Sequence, residues 1–274
     1  MLPNTNIHLM AKILTSVLLL ALFVPFSEAQ DKFTYRELMA RPKPLTWIWQ
    51  YNGSPLRKKA DIHVLDGFDH SREDYDLIRK KGSFPVAYFS CSYESWRPDA
   101  KQWKESDKGP KMAGWDERWP SPSAIKDHNS NLWKIYQGRL NYFTQKVIPL
   151  TREPGSFAIE WDNVDLYSSI KLGDAEGLRF LKHLKMITER SGFVFVLKNS
   201  VEMIDRLPGV EMYVNEEAQQ WGEIGAYSRV GQFAPVLNVE YKRPKSFPPY
   251  VYTIYYPSQN RIDGNAITFD NVRR

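Results

Sequence analysis

Eight short runs of apolar, β-branched and aromatic residues recur along the chain, and their spacing constrains the fold more than any other feature. They occupy 47–51, 62–65, 85–89, 157–161, 193–197, 210–214, 236–239 and 251–255. Several are continuous rather than alternating, the pattern of strands covered on both faces in a parallel sheet. Helical patterns fall between some of them, at 72–81, 131–147, 174–190 and 201–206. In 174–190, Leu178, Leu181, Leu184 and Ile187 recur every three residues, with Phe180 and Met186 beside them, so one stripe is built for burial. Strand and helix alternating in this way predict a single-domain α/β protein, a (β/α)8 barrel. An open doubly wound sheet is the rival. Its dinucleotide-binding version is disfavoured, because no Gly-rich phosphate turn follows the first strand.

Ahead of the first run lies a different pattern. Lys12 precedes an apolar stretch, 13–26, and then Ser27, Glu28 and Ala29. A basic start, a short apolar run and small residues at a cleavage site are the order of a secretory signal. The expectation is a signal peptide over 1–29, cut after Ala29, with the barrel over 30–274 and the protein secreted or periplasmic. The stretch is shorter than the roughly 20 residues a span needs, so an uncleaved anchor is the weaker alternative. Met10 offers a second start. No stable membrane insertion is expected once the leader is removed.

Cys91 is the only cysteine. An exported chain of this kind has no internal disulfide and draws its stability from core burial. The formal charge is +5, and the leader's one Lys and one Glu leave that balance unchanged. No dense Lys/Arg run of the kind nucleic-acid binding requires is present, so nucleic acid is not an expected partner. A monomer is expected.

Segment 92–129 has no clear period. Loops of that length in a compact domain are functional or disordered, and Trp96, Trp103, Trp115 and Trp119 argue against disorder. Because the segment follows the third strand, it should cover the barrel's C-terminal mouth.

Catalytic groups of such barrels cluster at the C-terminal ends of the strands. Those ends read Gln50; Asp66 and Asp69; Tyr88 and Ser90; Glu160 and Asp162; Lys198 and Asn199; Asn215 and Glu216; Glu240 and Tyr241. Any one of the acids has a plain structural explanation: Asp162 or Asp165, for example, could cap the next helix. Helix caps do not, however, require carboxylates to recur at the same end of strands two, four, six and seven. Glu160 and Asp162 stand two apart, so both should face the interior while Trp161 faces the helices. Converging carboxylates with an aromatic rim suit glycoside hydrolysis, in which one group protonates the leaving oxygen and the other attacks the anomeric carbon or activates water. His63, His70, His128 and His183 are too scattered for a zinc set or a Ser-His-Asp arrangement. Asp162, Asn163 and Asp165 lack the regular oxygen ligands of a calcium loop. Without a histidine partner, Cys91 reads as an inert thiol. Neither metal nor cofactor is expected.

These pieces in order, WIWQYNG (47–53), VLDGFD (64–69), VAYFS and ESWRPDA (86–100), GWDERW (114–119), EWDNVDLY (160–167), LKNS (197–200), VNEEAQQWGE (214–223) and VEY (239–241), resemble glycoside hydrolase family 114, the endo-α-1,4-polygalactosaminidase-like barrels. The resemblance implies a (β/α)8 barrel that hydrolyses α-linked galactosamine-containing polysaccharide. It places the catalytic carboxylates on Asp162, as nucleophile, and Glu216, as acid/base. Trp161 stands where the family commonly has Pro, and Ala218 where it often has Cys. Asp66, Asp69, Tyr88, Glu160, Asp165, Lys198, Asn199, Asn215, Glu240, Tyr241 and Trp96 are expected around the substrate. Lys198 would hold the nucleophile's charge if it points inward, and Arg97 and Asp99 are expected to pair and fix the long loop. A glycan-binding barrel that does not hydrolyse is the alternative, and a structural domain in an exopolysaccharide export system is a third.

Overall fold

The computed structural model describes residues 33–50, 59–113, 116–148, 153–256 and 267–268. The signal segment, the YNG that closes the first motif, and Gly114 and Trp115 lie outside the described residues. Eight parallel strands form one sheet in the order β1 (Trp47–Gln50), β2 (Ile62–Asp66), β3 (Phe84–Ser90), β7 (Ala158–Asp162), β8 (Val194–Lys198), β9 (Met212–Glu216), β10 (Val236–Glu240) and β11 (Val251–Tyr255). A short strand β12 (Ile267–Thr268) runs antiparallel to β11. The sheet curls into a (β/α)8 barrel whose seam between β1 and β11 is stitched by side chains. Trp47 Nε1 donates to the Tyr252 carbonyl at 2.7 Å, and the Tyr256 hydroxyl donates to the Trp49 carbonyl.

Side chains on successive strand residues point to opposite faces, and that alternation sorts the core into two layers. Trp47, Trp49, Ile62, Val64, Phe84, Val86, Ala158, Val196, Val214 and Val239 fill the barrel. Leu65, Phe89, Ile159, Trp161 and Leu197 face outward against the surrounding helices. Trp161 turns away from the interior, as its place between Glu160 and Asp162 predicts, and its indole N–H reaches Thr188 Oγ1 at 2.9 Å.

All eight predicted strands form, with ends shifted by a residue or two. The helix α2 (Arg72–Lys80) opens on a capping box in which Ser71 and Asp74 exchange backbone hydrogen bonds. The helix α6 (Asp174–Arg190) coincides with its apolar stripe and carries Asp174 and Glu176 in its first turn, where the macrodipole favours them. The predicted helix over 131–147 divides into α4 (Asn131–Tyr142) and a π-helical turn, Phe143–Val147. The one over 201–206 shrinks to a single 3₁₀ turn, Val201–Met203. Four short helices escaped the periodicity: α1 (Tyr35–Met39), α3 (Pro122–Lys126), α5 (Leu166–Ser169) and α7 (Ile224–Val230). None runs beyond two turns, too few repeats for a face to show.

The long segment after β3 is an ordered insertion. It holds a three-stranded antiparallel sheet, β4 (Tyr93–Glu94), β5 (Lys108–Lys111) and β6 (Glu117–Pro120), in the order β4-β6-β5. The expected Arg97–Asp99 pair does not form. Arg97 Nη2 lies 2.8 Å from Asp66 Oδ2 and its Nε contacts Glu94, whereas Asp99 is taken by Arg139 of α4 at 2.6 Å. Arg139 also donates to the Ser90 carbonyl at the end of β3. Each arginine ties the insertion to a barrel element, Arg97 through Asp66 and Arg139 through Asp99, and Arg97 also braces the insertion internally through Glu94.

Candidate active site

Asp162, Lys198 and Glu216 end β7, β8 and β9, three neighbouring strands, and all three occupy inward-facing positions. The residue after each strand end takes a left-handed backbone: Asn163 has φ 57°, Asn199 φ 49° and Glu217 φ 59°. Few non-glycine residues adopt this region, and asparagine tolerates it best. The chain therefore turns sharply off each strand directly behind a functional side chain. Asn163 Nδ2 reaches Ser90 Oγ at 2.9 Å, and Asn199 Oδ1 accepts the Glu216 N–H at 3.0 Å, which holds two of these turns in place.

Lys198 is fully buried, and its ammonium is the centre of the site. Nζ lies 3.1 Å from Asp162 Oδ1, 3.0 Å from Glu216 Oε2 and 3.3 Å from Glu160 Oε1. It also stands 4.6 Å from the centroid of the Trp49 ring, a favourable cation–π distance. Burial alone would strip the lysine of its proton, but Asp162, Glu216 and Glu160 outweigh it and hold the ammonium well above its ordinary range. The Tyr88 hydroxyl donates to Asp162 Oδ2 at 2.9 Å, and the Tyr241 hydroxyl donates to Glu216 Oε1. Burial and the adjoining carboxylates push both phenols upward, so each stays protonated and remains a donor.

The three carboxylates differ in access. Glu160 is fully buried, whereas the side chains of Asp162 and Glu216 keep 17% and 27% exposure and so reach the mouth. Burial pushes Glu160 up to about 7 against the pull of Lys198. Asp165 is pushed up to about 6, by burial and then by the Asp162 charge. Across the mouth, β6 of the insertion brings in Glu117, pushed up to about 7 by burial and by Glu94, with Oε2 3.3 Å from Ser92 Oγ.

Not every expected residue meets at this point. Asp66 is buried and accepts from the Phe68 and Asp69 N–H groups and from Arg97, so its oxygens are engaged by the protein rather than offered to a sugar. Asn215 and Glu240 sit on the outward face of β9 and β10, because the inward positions are Val214, Glu216 and Val239. Asn215 Nδ2 approaches Glu223 Oε2 at 3.3 Å, and Glu240 Oε1 accepts from the Gln219 N–H at 2.9 Å. Reading strand ends without their pleat assigned both to the pocket. Asn199 stabilises Glu216 through its backbone, Asp69 and Trp96 stand exposed at the rim, and Cys91 is buried with its thiol pushed up. The sequence reading passed over Trp49 and Glu117. The alternation with Trp47 could have placed Trp49 inside; nothing in the sequence alone aims Glu117 at the mouth, because its place depends on the insertion's sheet. Among the described residues, no group of three or more His, Cys, Asp and Glu side chains is arranged to hold a metal ion, and no helix is long and apolar enough to cross a membrane.

A barrel whose C-terminal mouth presents two accessible carboxylates, a bridging ammonium and two phenol donors has the architecture of a glycoside hydrolase. Comparison with known proteins makes the class definite. The chain belongs to glycoside-hydrolase family GH114, whose model matches residues 29–268. Two solved structures share the fold. Aspergillus fumigatus Ega3, in complex with galactosamine, superposes with a TM-score of 0.67 at 21% identity, covering 84% of this chain and 98% of that one. The glycoside hydrolase domain of PelA from Pseudomonas aeruginosa gives a TM-score of 0.61 at 14% identity, covering 83% and 99%. No curated protein matches by sequence.

Proposed function

We propose that the protein is a secreted, endo-acting hydrolase of α-1,4-linked galactosamine or N-acetylgalactosamine polymers that retains anomeric configuration, with Asp162 as nucleophile and Glu216 as acid/base. The galactosamine bound in the Ega3 structure points to the sugar, and the apolar leader supports secretion.

The observation that carries the mechanism is the position of Lys198 between the two carboxylates. Its distances to Asp162 Oδ1 and Glu216 Oε2 are 3.1 and 3.0 Å, so those oxygens are separated by at most the two legs together, about 6.1 Å. A shared ammonium thus brings the two carboxyl groups close together, an arrangement that accommodates the roughly 5–5.5 Å separation of retaining enzymes. In the first step Asp162 attacks the anomeric carbon as Glu216 gives its proton to the leaving oxygen. Asp162 becomes a neutral glycosyl ester and Glu216 a carboxylate. The negative charge has moved from one carboxyl to the other, and the ammonium faces both, so it stabilises reactant and intermediate alike without moving. In the second step Glu216 takes a proton from water as the water oxygen attacks the anomeric carbon; the bond to Asp162 breaks, the sugar leaves, and Asp162 returns to a carboxylate and Glu216 to an acid.

The test is reducing-end release from galactosamine-rich polysaccharide, acetylated and deacetylated, with NMR of the first anomer formed. Wild type should release α-anomeric ends, and Asp162→Asn and Glu216→Gln none. A β-anomer as first product would overturn retention; no release from either polymer would overturn the substrate.

A further inference from the structure

Among the described tryptophans, two stand mostly exposed: Trp96 at 55% and Trp221 at 67%. Both lie on loops that leave the C-terminal ends of strands, Trp96 after β3 and Trp221 after β9, so they stand on either side of β7 and β8, the strands that end in Asp162 and Lys198. Phe233, exposed at 81%, lies at the opposite end of the barrel, just ahead of β10. An indole left in water forgoes the hydrophobic gain of burial, and the scaffold beneath Trp221 is built to keep it there.

That scaffold accounts for the outward-facing polar residues the catalytic site does not use. Glu240 Oε1 accepts from Asn238 Nδ2 at 3.0 Å and from the Gln219 N–H at 2.9 Å. Gln219 Oε1 then accepts from the Lys245 and Ser246 N–H groups at 2.9 and 3.1 Å, and its amide donates to the Ser246 carbonyl. The Trp221 N–H closes a turn on the Glu217 carbonyl at 3.0 Å, and Glu223 N–H closes another on Ala218 at 2.8 Å. The loop is thus fixed before any ligand arrives, and a preorganised aromatic surface binds at little ordering cost.

We propose that Trp221 is a sugar-stacking platform that holds a ring of the polymer beyond the one attacked at Asp162. The inference rests on the polymer reading above. A galacto-configured ring has an axial 4-hydroxyl, which leaves C3–H, C4–H and C5–H together on one face. That face matches the electron-rich face of an indole, and a protonated 2-amine adds a cation–π attraction. Glu240 and Gln219 act through the loop as positioning residues.

The test uses binding without turnover: retention of Asp162→Asn protein on galactosamine-rich polysaccharide in affinity electrophoresis, alone and combined with Trp221→Ala, Trp221→Phe or Phe233→Ala. Trp221→Ala should weaken retention about three- to tenfold, the range of one aromatic contact, with unfolding temperature unchanged. Phe should restore most of it, and Phe233→Ala should match the parent. Retention unaffected by Trp221→Ala, or no retention of any form, would overturn the platform. Trp221-dependent retention by an enzyme that releases no reducing ends would uphold the platform and sink the hydrolase reading.

Discussion

Replacing Glu160 by glutamine should make the protein relatively more stable as pH rises. Glu160 is enclosed on β7, its Oε1 3.3 Å from an ammonium that Asp162 and Glu216 contact more closely. Burial pushes it up to about 7, against an ordinary value of 4.5. Between those two values the folded protein keeps this proton and the unfolded chain has lost it. The folded state therefore binds more protons, and the residue's contribution to stability declines as pH rises through that window. At about 1.4 kcal/mol per unit the loss amounts to about 3 kcal/mol by pH 8. Glutamine keeps the shape and cannot titrate. Urea unfolding of wild type and Glu160→Gln at pH 5 and pH 8 reads most of the difference directly: the variant should gain about 2.5 kcal/mol on wild type between the two. A difference that stays constant across that range would refute the claim that a neutral Glu160 underlies the site.

Lys198→Met should remove the charge that Asp162 and Glu216, the proposed catalytic carboxylates, both face. Breaking a buried ion cluster from one side costs about 3–5 kcal/mol, and losing a preorganised charge at the reacting groups should cut kcat by a factor of about 100 or more; wild-type turnover in a reducing-end assay would contradict the mechanism. Arg97→Ala should leave Asp66 and Glu94 buried without their cation, lowering stability by about 3 kcal/mol and opening the insertion to limited proteolysis within 92–129. Cleavage no faster than in wild type would show that Arg139 alone anchors it.

The barrel strands were legible because each is largely a buried apolar run, and burial on both faces leaves its mark in every residue from Val194 to Leu197. The inward direction of Glu160 and Asp162 was legible for a related reason: the residue between them, Trp161, is too large and apolar to face the site. Asn215 and Glu240 were misassigned because a polar residue at a strand end looks the same whether it closes the pocket or supports the loop above it. The partners that decide, Glu223 and Gln219, come from the loops that follow. The same limit explains Arg97 and Asp99. Two opposite charges two residues apart invite pairing, yet each finds its partner on another element, and only the folded chain brings Asp66 and Arg139 within reach.

The overall charge of +5 conflicts with a cationic polymer only if charge is averaged over the molecule. Around Lys198 stand Glu160, Asp162 and Glu216, and around Arg97 stand Asp66, Asp69 and Glu94. Glu160, Asp66 and Glu94 are buried, so the acids that reach the mouth are Asp162, Glu216 and Asp69, with Glu117 part-exposed beside them. Charges beyond a Debye length, about 8–10 Å in physiological salt, are largely screened, so an amine at the mouth meets these acids rather than the distant lysines. The fold concentrates the acids because the inward residues of neighbouring strands converge, and it tolerates them because one buried ammonium or guanidinium sits at the centre of each group.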